Sequence, residues 1–375
     1  MRILIGADFY PVRRAEEKMR EGAFEYLLGE VRPLVKEADY SLVNYESTFF
    51  DNSEITVKFG PSMGTDEKSV ELAKWCGFKC VTLANNHVHD YGDQGLKKLL
   101  LHMKNEGIDT VGAGMNVEEA GATLYKDICG EKVAFINCCE HEFNIATKEH
   151  GGANPYNVVR QFQAIQEAQS RSQHVIVIVH GGSINCQVPS PRMQEQFRFF
   201  VDCGASAVIC HHQHCFSGFE YYKDSPIIYG LGNLFFDKPW LKDTSWTKGY
   251  MVELTKEKDS RWDIKLLPYS QCAEEPRVSM LAGEEYKTFI KKIKELNEII
   301  ASPSLLEEKY NEWVDDNEWQ CEYALSPFHN RWIRALQCRH LFPSIKADSL
   351  FTLNYIYCEA HIDRMQRYLK KKYGI

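Results

Sequence analysis

The segment TLANNHVHDYG, residues 82–92, sets Asn85, Asn86, His87, His89 and Asp90 in a turn that follows an apolar run. Asparagine and aspartate are ordinary turn formers. Histidines this close together point to a site, because imidazole ligates metals and moves protons near neutral pH. The same chemistry recurs along the chain. Asp8 follows RILIGA, Asn44 and Glu46 follow DYSLV, His180 ends HVIVIV, and His211, His212 and His214 follow AVIC. Carboxylate, imidazole and amide oxygen together suit divalent cations of the Mn, Fe or Zn type better than Ca. In an extended segment residues two apart point the same way, so His212 and His214 would meet one metal, or one each of an adjacent pair, while His211 would point away. Glu46 has the reach and charge to bridge two cations. Asn86 offers a side-chain oxygen. His87 would then sit beside the metals as a general acid or a stabiliser of developing charge. Asp90 either holds the His87 imidazole or caps a helix starting near Asp93. Asn85 and His89 read as turn residues, asparagine tolerating the left-handed conformation.

Each cluster alone is weak. A single histidine at a strand end is more often a hydrogen-bonded group than a ligand, and Asp8 alone would serve as a cap or turn residue. The weight lies in five clusters sharing one kind of position, the carboxyl end of an expected strand, where ligands gather in open α/β sheets. The elements that must place them alternate over the first 240 residues. Strands are expected at 2–7, 39–47, 78–84, 132–139, 174–182 and 207–214. Helices are expected at 15–28, 66–77, 93–107, 156–171 and 191–204, several ending in glycine. Strand, turn and helix in repetition indicate an α/β protein. After about residue 215 turn-linked strands indicate an antiparallel part. From 283 the pattern becomes helical and aromatic-rich, giving a domain at 1–282 and a helical appendage at 283–375. Trp313, Trp319 and Trp332 in that appendage read as core packing.

Composition narrows the partners. The chain has 375 residues and a formal net charge of −8, which argues against a sequence-wide affinity for nucleic acid or anionic membrane. The run Lys370 to Lys372 reads as a solvated terminus. Its 13 cysteines form no CxxC pair, and most lie in apolar runs, which suits a reducing cytoplasm. The opening MRILIGAD is too short for a signal-peptide core or membrane span. A cytoplasmic protein acting on a small-molecule or polymer substrate is expected, with no oligomeric state implied.

The ordered set GAD (6–8), NYE (44–46), LANNHVHDYG (83–92), VGAG (111–114), HGG (180–182), HHQH (211–214) and IIYGLGNLFFD (227–237) resembles the CapA family of bacterial capsule, or poly-γ-glutamate, synthesis proteins. The resemblance covers about residues 1–240. That family is similar to calcineurin-like metallophosphoesterases, which implies a four-layer α/β/β/α sandwich with two metals at the strand ends. By this resemblance Asp8, Glu46, Asn86, His180, His212 and His214 would be metal ligands, and His87 the catalytic histidine. The chain departs from the pattern in three places. Tyr10 stands where the phosphoesterase DxH motif has histidine, His180-Gly181-Gly182-Ser183-Ile184 replaces HWGxE, and Cys210-His211-His212-Gln213-His214 replaces GHHPH. A metal-dependent hydrolase of a phosphoester or a γ-glutamyl or amide bond is expected. The alternative is a non-catalytic metal-binding partner in polymer or capsule assembly.

Overall fold

The computed structural model describes residues 1–325 apart from 52, 59, 243, 258 and 259, together with 331–337, 339, 341, 356 and 359–373. Apolar runs rich in valine and isoleucine form the strands that carry the fold. In chain order they are β1 (Arg2–Tyr10), β2 (Tyr40–Tyr45), β3 (Cys80–Thr82), β4 (Asp109–Val111), β5 (Leu124–Ile128), β6 (Glu131–Cys139) and β7 (His174–His180). There follow β8 (Ala207–His211), β9 (Phe219–Tyr222), β10 (Ser225–Ile228), β11 (Asn233–Phe236), β12 (Lys248–Lys256), β13 (Trp262–Gln271) and β14 (Val278–Met280). One eight-stranded sheet runs β14-β13-β12-β1-β2-β3-β4, with β11 also paired to β1. A six-stranded sheet runs β9-β10-β8-β7-β6-β5. Both are mixed: β1, β2, β3 and β4 are parallel, as are β6, β7, β8 and β10, while β12, β13 and β14 form the antiparallel part.

The period of two along each strand divides the core into layers. In the six-stranded sheet Ala134, Ile136, Val175, Val177 and Val208 face outward against Ile165 of α3 (Val158–Arg171) and Phe197 and Phe200 of α4 (Pro191–Asp202). Phe135 faces the other way and stacks on Tyr40 of β2, ring centroids 5.4 Å apart, so the two sheets meet face to face. Against the eight-stranded sheet lie α1 (Glu67–Cys76) and α2 (Gly92–Asn105), which bury Leu72, Ala73, Leu96, Leu99 and Met103. The result is the expected helix–sheet–sheet–helix layering. Asp66 caps α1 by accepting from the Lys68 N–H, and Gly77 ends it at a φ of 109° that a side chain would resist.

Three expected elements differ. The stretch 15–28 is two short helices, Arg14–Arg20 and Phe24–Leu28, parted at Gly22 with φ 72°. β1 continues past Asp8 to Tyr10, with an irregularity of pairing between Asp8 and Phe9. β8 stops at His211, because His212 and His214 both take positive φ, 99° and 54°.

The chain forms two compact units, Met1–Tyr310 and Asn311–Ile375. The helical stretch begins with α5 (Gly283–Ala301), whose Phe289, Ile293, Leu296 and Ile300 are buried in the first unit. Phe289 lies 4.5 Å from Phe216, centroid to centroid. The second unit contains helices Glu318–Leu325, Arg331–Gln337 and Glu359–Tyr373, and Trp332 there is exposed. The rest of the expected appendage, notably 326–330 and 342–355, lies outside the described residues. Among the described residues no helix is long and apolar enough to cross a membrane. Eleven described cysteines are all free thiols, nine of them buried.

Candidate metal centre

Parallel strands deliver their carboxyl ends to the same side of a sheet, and here the two sheets deliver them to one place. β1 supplies Asp8, the end of β2 supplies Glu46, and the turn after β3 supplies Asn86 and His87. The six-stranded sheet supplies His180 at the end of β7 and His212 and His214 just after β8. Two sets of donor atoms result, each within 4.8 Å of one another: Glu46, His180 and His212, and Asp8, Glu46 and His214. Glu46 belongs to both. Its Oε1 lies 3.8 Å from His180 Nε2 and 3.6 Å from His214 Nε2. His212 Nδ1 is 3.1 Å from His180 Nε2, and Asn86 Oδ1 also lies 3.1 Å from that nitrogen.

Whether a cation fits can be judged from the protein groups alone. Both Glu46 oxygens are buried and find no hydrogen-bond partner. A buried carboxylate without donors is costly. Burial, and then the neighbouring Asp8, push the Glu46 carboxyl well above its ordinary range. Burial, reinforced by His212, His211 and His214, pushes His180 well below its own. His214 is pushed down to about 3 by burial, which outweighs the attraction of Asp8. The centre is therefore a buried cluster of carboxylate, amide and imidazole ligand atoms in which the Glu46 carboxylate finds no donor. A divalent cation with nitrogen and oxygen ligands is the chemical complement of such a set.

Asp8 stays ionised for a different reason. Burial would raise it, yet contacts with His211, His214 and Asn44 keep it below the usual carboxylate range. Asn44 donates to Asp8 Oδ1 at 2.8 Å and the His212 N–H to Oδ2 at 3.2 Å. His211 Nδ1 lies 3.3 Å from Oδ1. The expectation that His211 points away is therefore corrected. β8 is still extended at His211, so that ring shares the inward face with Ile209. His212 and His214 lie beyond the strand, and it is a left-handed turn that brings their rings to 6.0 Å.

His87 Nδ1 meets Asp90 Oδ2 at 2.7 Å. Of the two roles open to Asp90, the geometry matches holding the imidazole: α2 is preceded by Tyr91 as its N-cap, with no side-chain cap. The Asp90 carboxylate also accepts from the Met63 N–H at 2.7 Å and Asn144 Nδ2 at 2.6 Å, and pairs with Lys58 Nζ at 2.5 Å. Lys58 Nζ stands 3.0 Å from His87 Nδ1. Burial lowers the basicity of His87, with Asp90 opposing. Asn85 does not use the left-handed region. It donates to Tyr45 O at 2.9 Å and accepts the His87 N–H at 3.1 Å, pinning the turn to β2. His89 pairs with Asp93 at 2.8 Å. Tyr10, at the DxH position, directs its hydroxyl to Gly64 O at 3.5 Å.

Sequence reasoning passed over several contacting residues. Asn233, of the LGNLFFD motif, accepts from His214 Nδ1 at 2.8 Å and so leaves Nε2 turned to Glu46. Its place in a motif could have flagged it. Glu142 takes Asn86 Nδ2 at 2.6 Å and lies 3.6 Å from His212 Nε2. Lys58 and Glu142 sit in polar loops with no periodic signal.

A family profile described as "Bacterial capsule synthesis protein PGA_cap" matches residues 2–238, a span containing all of these residues. The capsule biosynthesis protein CapA of Bacillus anthracis is 30% identical over 244 residues, 63% of this chain and 59% of that protein. The PGA biosynthesis protein CapA of Bacillus subtilis (strain 168) is 29% identical over 238 residues, covering 62% and 61%. The chain thus spans about three fifths of the length of these relatives. A phosphatase from Mycoplasma pneumoniae superposes with a TM-score of 0.46 at 13% identity, over 72% of this chain and 92% of that one.

Proposed function

The chain belongs to the PGA_cap family of bacterial capsule synthesis proteins, and from that premise we propose that it is a divalent-metal-dependent hydrolase acting on a phosphoester or a γ-glutamyl or amide bond. The observation that carries this reading is Glu46: a buried carboxylate without a donor, shared by two sets of ligand atoms. Divalent cations of the Mn, Fe or Zn type would supply Lewis acidity and lower the cost of deprotonating water near neutral pH. Asp8, Glu46, Asn86, His180, His212 and His214 would hold them. His87 stands beside this set, and Asp90 at its Nδ1 fixes the ring so that Nε2 can pass a proton to the leaving group. Lys58 balances the buried Asp90 charge. The names of the Bacillus relatives support a substrate in capsule, polyglutamate or glycan metabolism. The free, buried thiols support a reducing compartment such as the cytoplasm.

One observation favours a second reading, a non-catalytic metal-binding partner in polymer assembly: where the DxH histidine would stand the chain has Tyr10, whose hydroxyl meets Gly64 O. Elemental analysis of the purified chain, followed by assays with bis(4-nitrophenyl) phosphate and γ-glutamyl peptides, separates the two. Metal with turnover is expected of the hydrolase. Metal without turnover on any of these substrates would transfer the case to the partner, and a chain that takes up no metal would defeat both.

A further inference from the structure

The loop that follows β6 reaches the metal centre without lending it a ligand. Glu142 stands outside both ligand sets. Its Oε2 accepts from Asn86 Nδ2 at 2.6 Å, and the other end of that amide, Oδ1, lies 3.1 Å from His180 Nε2. His212 Nδ1 approaches the same nitrogen to 3.1 Å. A carboxylate accepts and does not donate. Glu142 therefore meets only the nitrogen end of the amide, and the oxygen end is left facing the two histidines. The distinction matters because an amide ligates a cation through its oxygen, the nitrogen lone pair being delocalised into the carbonyl.

The loop is fixed at both ends. At its start the Glu140 N–H donates to His180 O at 3.0 Å. The Glu140 carboxylate accepts from the Gly182 N–H and from Arg192 Nη2, each at 2.7 Å. At its end the Ala153 N–H donates to Asn144 O at 2.8 Å, and the Ala146 N–H to Ala153 O at 2.9 Å. Gly152 permits that approach: at its φ of 148° a Cβ would lie 2.4 Å from Asn144 O. Asn144 itself adopts φ 60°, which asparagine tolerates better than most residues. Its amide nitrogen donates to Asn86 O at 2.7 Å and to Asp90 Oδ1 at 2.6 Å. Asn86 is thus gripped at its main chain by Asn144 and at its side chain by Glu142.

We propose that Glu142 is a positioning residue of the metal centre: by taking the Asn86 amide nitrogen it commits Oδ1 to the cation held with Glu46, His180 and His212. It acts through the ligand and touches none of the reacting atoms. An amide free to turn would present its nitrogen to the centre part of the time, and the set would then be one ligand short. The inference rests on the reading of Asn86 as a ligand and deepens it, since it names the group that makes this asparagine a ligand rather than a turn residue.

The test reads metal affinity and needs no turnover. The full-length chain is loaded with Mn²⁺, the metal is withdrawn with a competing chelator, and retained Mn²⁺ is counted by electron paramagnetic resonance. Glu142→Ala should weaken retention at one site by roughly 10–100-fold, the usual effect of removing a group that orients a metal ligand. Glu142→Gln should restore most of it, because the glutamine oxygen accepts the same hydrogen. In an Asn86→Asp chain both side-chain atoms are oxygens and no end has to be chosen, so there Glu142→Ala should not weaken retention. The Glu142 side chain is 42% exposed, and circular dichroism of Glu142→Ala should match that of the unmodified chain. The inference is overturned if Glu142→Ala retains Mn²⁺ as tightly as the unmodified chain, if Glu142→Gln is as weak as Glu142→Ala, or if Glu142→Ala weakens the Asn86→Asp chain equally. Each of these results leaves the metal-centre reading standing. An unmodified chain that takes up no Mn²⁺ defeats that reading and this inference with it.

Discussion

At the residue scale the site depends most on Glu46, because it is the one side chain common to both ligand sets. Glu46→Gln keeps the volume and removes the charge, so metal content should fall by half or more. Elemental analysis after gel filtration checks this, and full metal content would contradict a bridging role. His87→Ala should behave in the opposite way. Turnover should drop by roughly 10²–10⁴-fold, the usual worth of a positioned acid or base, with metal nearly intact. Activity that survives this change would remove His87 from the mechanism. Much of this geometry was legible in the chain. Asp8, Glu46, Asn86, His180, His212 and His214 were singled out by type and position, and they do converge. The inward aim of His211 was not legible, because the strand ends at that residue and a left-handed turn, not strand alternation, places His212 and His214. Lys58 was not legible, since only tertiary folding brings its loop to Asp90.

At the element scale the turns fix where the strand ends point. Gly112 of the VGAG motif adopts φ 96°, and a Cβ there would run into Asn137 Oδ1 and approach Ala84 Cβ to 2.8 Å. Asn137 in turn holds the Ala84 N–H at 2.7 Å, just before the turn that carries Asn86 and His87. Gly112→Ala combines backbone strain with overpacking and should cost about 2–4 kcal/mol. Urea unfolding measures it, and a loss below about 0.5 kcal/mol, the range of neutral surface changes, would show that the turn yields easily. The strands and long helices were visible from periodicity because each buries one face on a continuous core. The break at Gly22 and the turn at His212 were not, because they are set by backbone dihedrals that leave no hydrophobic pattern.

At the scale of the whole molecule, the helix beginning at Gly283 belongs with the first compact unit. A chain cut after residue 282 would expose the surfaces that bury Phe289, Ile293, Leu296 and Ile300. At about 1.5–3 kcal/mol for each apolar side chain, that loss rivals the total stability of an ordinary domain. The 1–282 chain should therefore be insoluble or molten, and the 1–310 chain soluble with cooperative melting. Near-ultraviolet circular dichroism and thermal scans distinguish them, and a well-folded 1–282 chain would show that α5 is dispensable. Sequence showed where helix replaces strand. It did not show that the first helix packs with the sandwich, because an amphipathic stripe does not say which surface it meets.

The six ligand candidates are drawn equally from the two sheets, three from each. Cations at this point would therefore act as a clasp across the mouth of the sandwich. Chelation should let that edge splay while the far edge stays closed. In hydrogen–deuterium exchange, the backbone around Cys139, His180 and His211 should lose protection on adding chelator, while Ile3–Ile5 keep theirs.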